Sequence, residues 1–258
     1  LASDRVRDLH QPLRLRGSLT VRPVYLLHDA ALLARMVGVE APCCAQVAMP
    51  TQMSTNADSA HAWGAFVEAN PLSGDWIIDT EAPSRRTVSW SGTLADEIFA
   101  DEPRTWMKTG QARFQAFLDE ITPALHHHQR TLCLRPHHRH VVGDVHASVK
   151  LLRERAGGPF EILLSPGDLL APSMLAQLED HLIRMFAHLG PVASAVLLID
   201  MAPTAESPVN GLLSPCRAGE GVLPLPLLAK LIAEYVPMET PIILLPGAMA
   251  QQRGALGL

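Results

Sequence analysis

The sequence has no apolar run of about 18 residues, so no membrane span is expected. Its first residues, Leu-Ala-Ser-Asp-Arg-Val-Arg-Asp, lack the apolar centre of a signal peptide. It also lacks an initiating Met, which points to a fragment or a processed product. There is no excess of positive charge: the net charge is −5, and no electrostatic case for nucleic acid follows, although a local basic patch stays open. Cysteine is scarce. Cys43, Cys44, Cys133 and Cys216 match neither a disulfide framework nor Cys-x-x-Cys zinc spacing. They are expected to be reduced and mostly buried, which favours a cytoplasmic location. Gly-x-Ser-x-Gly, a P-loop and His-Glu-x-x-His are all missing. The Gly219-x-Gly221 pair has no third Gly at dinucleotide spacing.

What is present is a large apolar fraction. At 258 residues, 48% hydrophobic and 18% charged, the chain can bury a sizeable core as one large α/β domain or two small ones. The stretch from Thr131 to Leu170 is the most legible. Two apolar runs, Thr131-Leu132-Cys133-Leu134-Arg135 and Phe160-Glu161-Ile162-Leu163-Leu164-Ser165, each end at a polar residue followed by Pro. An amphipathic segment at 144–156, stopped by Gly157-Gly158, lies between them. This is the pattern of a βαβ unit. Further strands are expected at 194–200 and 241–245, with helices at 173–189 and 225–236. The continuous apolar strands suit a parallel sheet covered on both faces. Periodicity alone leaves a barrel and an open doubly wound sheet equally possible.

The front half is less regular. Residues 1–17 read as a surface segment, 18–27 as an irregular or edge strand, 29–37 as a helix and 43–49 as a strand. Within 51–105, residues 58–69 suggest a helix, while 75–79 and 87–90 suggest two short strands. A hairpin or loop excursion outside the main fold would account for them. The helix through Phe114, Phe117, Leu118, Ile121 and Leu125 is expected to end near His126-His127-His128, with Pro123 a candidate break inside it.

Five segments, taken in order, carry a resemblance. They are Leu132-Cys133-Leu134-Arg135-Pro136-His137, Leu163-Leu164-Ser165-Pro166-Gly167-Asp168, Val196-Leu197-Leu198-Ile199-Asp200, Arg217-Ala218-Gly219-Glu220-Gly221 and Ile243-Leu244-Leu245-Pro246. Over roughly 103–246 the chain resembles the xylose-isomerase-like TIM barrels, the sugar phosphate isomerase/epimerase superfamily. The resemblance implies a TIM-type (β/α) barrel over 1–258, with 51–105 as an irregular insertion. Only two strand candidates precede that insertion and little helix-forming sequence follows Pro246, so a barrel incomplete at its N-terminal side, or a fragment, is expected.

The resemblance also implies a divalent metal on four strand ends, but the ligand positions fall on Arg135, Ser165, Asp168, Leu197 and Leu245. Hard divalent ions need oxygen or imidazole ligands, so no metal and no other cofactor is expected. By alternation Arg135 should point into the barrel mouth and pair with a carboxylate, Asp168 first. Candidate substrate-binding residues are Arg135, His137, Asp168, Asp200, Arg217 and Glu220, and candidate catalytic groups are His137 and Asp168. The cluster His137, His138 and His140 reads either as acid/base or metal-binding groups or as a polar strand-end loop. Arg217 with its glycines reads either as a sugar-hydroxyl contact or as a tight turn. His126-His127-His128 is expected to cap a helix C-terminus. Two functions are implied. One is a ligand-binding or non-catalytic homologue, a pseudoenzyme accepting a sugar or sugar phosphate. The alternative is an active isomerase or epimerase with a relocated acid/base or metal site.

Overall fold

The computed structural model describes residues 22–31, 44–51, 62–74, 76–203, 213–247 and 249–258. Eight strands close into a barrel. They are β1 (Val24–Asp29), β2 (Gln46–Pro50), β3 (Gly64–Val67), β4 (Arg86–Trp90), β5 (Thr131–Arg135), β6 (Phe160–Leu164), β7 (Ala195–Leu198) and β10 (Ile242–Leu244). Around the barrel the order is β1-β10-β7-β6-β5-β4-β3-β2. All neighbours pair in parallel except β2, which runs antiparallel to both β1 and β3. A TIM-type α/β barrel is therefore present, with one reversed strand.

Alternation explains the core. Leu27, Ala48, Phe66, Val88, Cys133, Leu163, Leu197 and Ile243, one from each barrel strand, meet in a single interior cluster. Their chain neighbours face outward. Leu132 and Leu134 pack against Phe114, Phe117, Leu118, Ile121 and Leu125 of helix α1 (Lys108–His127). Val196, Leu198, Ile242 and Leu244 pack under helices α4 (Leu178–Leu189) and α5 (Leu225–Tyr235). Between β5 and β6 runs α2 (Val145–Glu154), capped by Asp144, whose carboxylate accepts the Ala147 N–H at 2.7 Å. A single turn, α3 (Pro166–Leu169), follows β6. The N-terminal end of the barrel carries an ion pair, Arg86 Nε to Glu161 Oε2 at 2.6 Å, with the guanidinium 4.5 Å from the Trp63 ring.

Several expectations need correction. Of the helix expected at 58–69, residues 58–61 lie outside the described residues, and Gly64–Val67 is strand β3. A Cβ on Gly64 would come within 3.0 Å of Val88 Cγ2, so small residues here let β3 and β4 lie close together. Residues 76–79 are not a strand. Trp76 instead covers the outer face of β4, donating its indole N–H to Ser89 Oγ at 2.9 Å and meeting Phe117 edge-on. β3 and β4 are parallel barrel strands, not a hairpin excursion, and with them four strands precede Pro103. The barrel is thus closed on the side where it was expected to be incomplete.

Pro123 does not break α1, which continues to His127. The loop expected after β7 contains an antiparallel pair, β8 (Asp200–Pro203) and β9 (Leu213–Cys216). Helix α6 (Met249–Leu256) follows Pro246. The strand expected at 18–27 begins at Val24, and most of the helix expected at 29–37 lies outside the described residues. His126 and His127 occupy the last turn of α1 and His128 its C-cap. Cys44 and Cys133 are buried free thiols, Cys216 is half-buried, and Cys43 lies outside the described residues.

Candidate functional site

Three consecutive strands, β4, β5 and β6, build the centre of the barrel mouth. β5 ends at Arg135, on the same inward face as Cys133. After β6 the chain turns sharply at Ser165-Pro166-Gly167-Asp168. Gly167 permits this turn, because a Cβ there would lie 2.6 Å from the Ile199 carbonyl oxygen. The turn brings Asp168 against Arg135, with Nε donating to Oδ2 at 2.6 Å and Nη2 to Oδ1 at 3.1 Å. The guanidinium lies over the Trp90 ring at 3.9 Å. Both side chains are nearly buried, at 10% and 5% exposure. A buried guanidinium is tolerable because it is paired in fork geometry and stacked on an aromatic face. Neither bond uses Nη1, which has no partner among the described residues. Ser165 Oγ is buried beside this pair in sequence and also has no partner.

The loop after β5 locks onto this centre. His138 donates its backbone N–H to the Asp168 carbonyl at 2.9 Å, and its ring Nδ1 lies 3.3 Å from the same oxygen. His137 Nδ1 accepts the Arg139 N–H at 3.1 Å, which places the ring proton on Nε2. His140 donates from Nε2 to the Ile98 carbonyl at 2.8 Å, and its Nδ1 has no partner among the described residues. The His137 and His140 rings pack with Trp90 and Phe99 at centroid separations of 4.9–5.7 Å. Burial holds all three imidazoles below the usual histidine range. For His137 the neighbouring His140, His138, Arg135 and Arg139 push in the same direction. His140 is held at about 4, mainly by burial.

The remaining candidates form a second, structural group. The Asp200 carboxylate is 1% exposed and accepts four backbone N–H bonds. Met201 and Leu223 donate to Oδ1 at 2.8 and 2.9 Å, and Gly219 and Gly221 to Oδ2 at 3.0 Å each. With its acceptors filled from the backbone, Asp200 pins the 217–223 loop onto β8. Gly221 has to be glycine, because a Cβ would lie 2.4 Å from Asp200 Oδ1. Arg217 and Glu220 form an exposed ion pair at 3.1 Å, and Arg217 Nε also donates to the Pro246 carbonyl at 2.9 Å. The structure thus brings Arg135, His137 and Asp168 together, while Asp200, Arg217 and Glu220 hold a loop in shape. Trp90 and Phe99 were missed in the sequence. The one usable signal was the placement of Trp90 at a strand end, two residues beyond the inward Val88.

The side chains at the implied metal positions do not fit a divalent ion. Leu197 and Leu245 belong to the apolar interior, Ser165 is a lone hydroxyl, and Asp168 is neutralised by Arg135. Among the described residues, no group of three or more His, Cys, Asp or Glu side chains is placed to hold a metal.

No family model matches the sequence, and no curated protein matches it. Several solved structures are similar to the chain. One is a xylose isomerase-like TIM barrel protein from Mycobacterium smegmatis in complex with magnesium, at 12% identity and a TM-score of 0.43, with 67% of this chain and 60% of that chain covered. Another is the 3-keto-D-glucoside 4-epimerase YcjR from E. coli, at 14% identity and 0.47, covering 75% and 76%. A third is the probable 3-DHS dehydratase AsbF from Bacillus anthracis, at 10% and 0.45, covering 67% and 62%. The chain spans about 60% of the length of the first of these.

Proposed function

We propose that this chain is a sugar phosphate isomerase/epimerase-like barrel protein that binds a sugar or sugar phosphate at its C-terminal mouth without the divalent-metal chemistry of that superfamily. The observation that carries this reading is the Arg135–Asp168 pair stacked on Trp90. A fixed positive charge occupies the position where the resemblance implies a metal-binding carboxylate. The unpartnered Nη1 of Arg135 and Oγ of Ser165 supply donors for a phosphate or hydroxyl oxygen.

The alternative, an active isomerase with a relocated acid/base site, needs a free base near the mouth. Both Asp168 oxygens accept from Arg135, and His137 Nδ1 accepts from Arg139. These engagements favour binding over proton abstraction.

The test is thermal melting against a panel of sugars and sugar phosphates, together with isomerase and epimerase assays with and without added Mn²⁺. The expected result is a melting rise for at least one sugar phosphate, lost in Arg135→Met, with no turnover. Turnover by the parent chain that disappears in His137→Gln or Asp168→Asn would overturn the reading in favour of the alternative.

A further inference from the structure

Nearly every described arginine is engaged. Arg86, Arg104, Arg135, Arg155 and Arg217 pair with carboxylates, and Arg22 and Arg130 bind backbone carbonyls. Arg153, Arg184 and Arg253 have no side-chain hydrogen bond or ion pair among the described residues, and the first two share one surface. Arg153 and Arg184 line a single groove. It lies between α2, which carries Arg153, and α4, which carries Arg184, on the outer surface of the barrel, and its volume is about 420 Å³. Its apolar lining comes from Val149 of α2, Met185 of α4, and Leu169 and Met174 of the connection between β6 and α4. His146, His181 and His188 add imidazole donors, and the one acidic residue is Asp144, whose carboxylate is used in capping α2.

The neighbouring groove between α1 and α2 serves as an internal comparison. It is similar in size, about 370 Å³, but its Lys150 and Glu154 neutralise each other at 3.5 Å. The groove beside Trp63 also carries two arginines, but there Arg86 pairs with Glu161 and Arg85 donates to Gln129, so the α2–α4 groove differs in that its two arginines are unengaged. They are also out of keeping with a chain whose net charge is −5.

We propose that the α2–α4 groove binds an anionic amphiphile, a small molecule with a carboxylate or phosphate head and an apolar body. Guanidinium groups suit such a head because they bind carboxylate and phosphate oxygens through paired N–H donors. The groove volume is in the range of small-ligand sites, roughly 300–1,000 Å³. The apolar floor selects against fully hydrophilic anions. This site is separate from the barrel mouth and does not depend on the reading given for it.

The test is calorimetric titration of the intact chain with decanoate, below the concentration at which it forms micelles. Decyltrimethylammonium and inorganic phosphate serve as comparison probes, and Arg153→Gln/Arg184→Gln as the variant. Both arginines are exposed, so the variant is expected to melt like the parent chain. Decanoate should bind with one site per chain and weaken by about tenfold or more in the variant, the scale of losing a hydrogen bond to a charged group. Decyltrimethylammonium and phosphate should bind much more weakly than decanoate. Equal decanoate binding by parent and variant would overturn the proposal. So would equal binding of the cationic amphiphile, which would mean apolar adsorption, or phosphate binding as tight as decanoate, which would mean a plain anion site. If the variant melts lower, Arg153→Lys/Arg184→Lys provides the decision: it keeps both charges without the paired donors, so it should bind decanoate more weakly than the parent but still more tightly than it binds decyltrimethylammonium, and loss of that preference while folded would count against the proposal.

Discussion

Arg135 and Asp168 sit on neighbouring strand ends and share two hydrogen bonds, at 2.6 and 3.1 Å, with the guanidinium face on Trp90. Removing one member of a buried pair strands the other charge, at a cost of about 3–5 kcal/mol. Arg135→Met and Asp168→Leu should each lose stability on at least that scale in urea unfolding. The double variant Arg135→Met/Asp168→Leu should lose clearly less than the sum of the single losses, because no charge is left unpaired. Additive losses would mean that the pair is not coupled.

How much of this was legible follows from where local pattern and tertiary pairing agree. From β5 onward each barrel strand is a continuous apolar run and α2, α4 and α5 have clear stripes, so order, parallel pairing and the inward direction of Arg135 could be read by alternation, whereas β8, β9 and α6 have no such pattern and could not. β3 could not be read that way. Gly64-Ala65-Phe66-Val67 is four residues long and lacks period-two polarity, because it is buried between neighbours. The reversed direction of β2 leaves no mark in its own residues. At the mouth, Arg135, His137 and Asp168 were visible as polar residues at strand ends. Asp200 looked the same in sequence, and only the four backbone N–H groups converging on it reveal its structural role.

That convergence makes a second prediction. Asp200→Asn keeps one acceptor oxygen and turns the other into a donor facing backbone N–H groups. Hydrogen bonds to a charged group contribute about 1.5–3 kcal/mol each and two are lost at the converted oxygen, so a loss of about 3–6 kcal/mol is expected in urea unfolding. Gly221→Ala should be destabilising too, since its Cβ would meet Asp200 Oδ1 and the Met201 carbonyl oxygen, both at 2.4 Å. Gly254→Ala in α6 is the control. Nothing lies within 4 Å of a Cβ there, and a gain of about 0.5–1 kcal/mol is expected from helix propensity. Equal behaviour of the two glycine variants would show that the close approach at Gly221 is not constraining.

The third prediction concerns acid. His140 is held near 4 in the folded chain, against an ordinary value of 6.5, chiefly by burial. Asp168 pulls its affinity for a proton up, while Arg135 and His138 push it down. A lowered folded value means that the unfolded chain takes up the proton first. The stability cost is therefore absent above about pH 6.5, grows as pH falls, and levels off below about 4. At full extent it is on the order of 3 kcal/mol. Burial also leaves the Nδ1–H that protonation would create without an acceptor among the described residues. His140→Gln, which can keep the donor to the Ile98 carbonyl, should lose less stability than the parent between pH 7 and pH 4.5. Comparing the two chains cancels the carboxylates that titrate in the same window. Parallel pH profiles would mean that His140 is not the group responsible.

The last prediction comes from Pro123. It sits inside α1, four residues after Asp119, where its ring crowds the Asp119 carbonyl and its nitrogen has no proton to donate. The helix nevertheless runs unbroken to His127, because Phe114, Phe117, Leu118, Ile121 and Leu125 are buried against the outer face of the barrel on both sides of the proline. Burying a large apolar side chain contributes about 1.5–3 kcal/mol, so several of them outweigh the cost of one interior proline, about 3 kcal/mol. Pro123 itself is exposed and contributes little to that packing. Pro123→Ala should restore the hydrogen bond to Asp119 and raise stability by about 1–3 kcal/mol, read as an upward shift in melting temperature. Pro123→Gly should gain less, because glycine adds backbone entropy to the unfolded chain. No gain in either variant would mean that the helix is already kinked at Asp119 enough to relieve the proline. The packing of Leu125 would then be carrying the distortion.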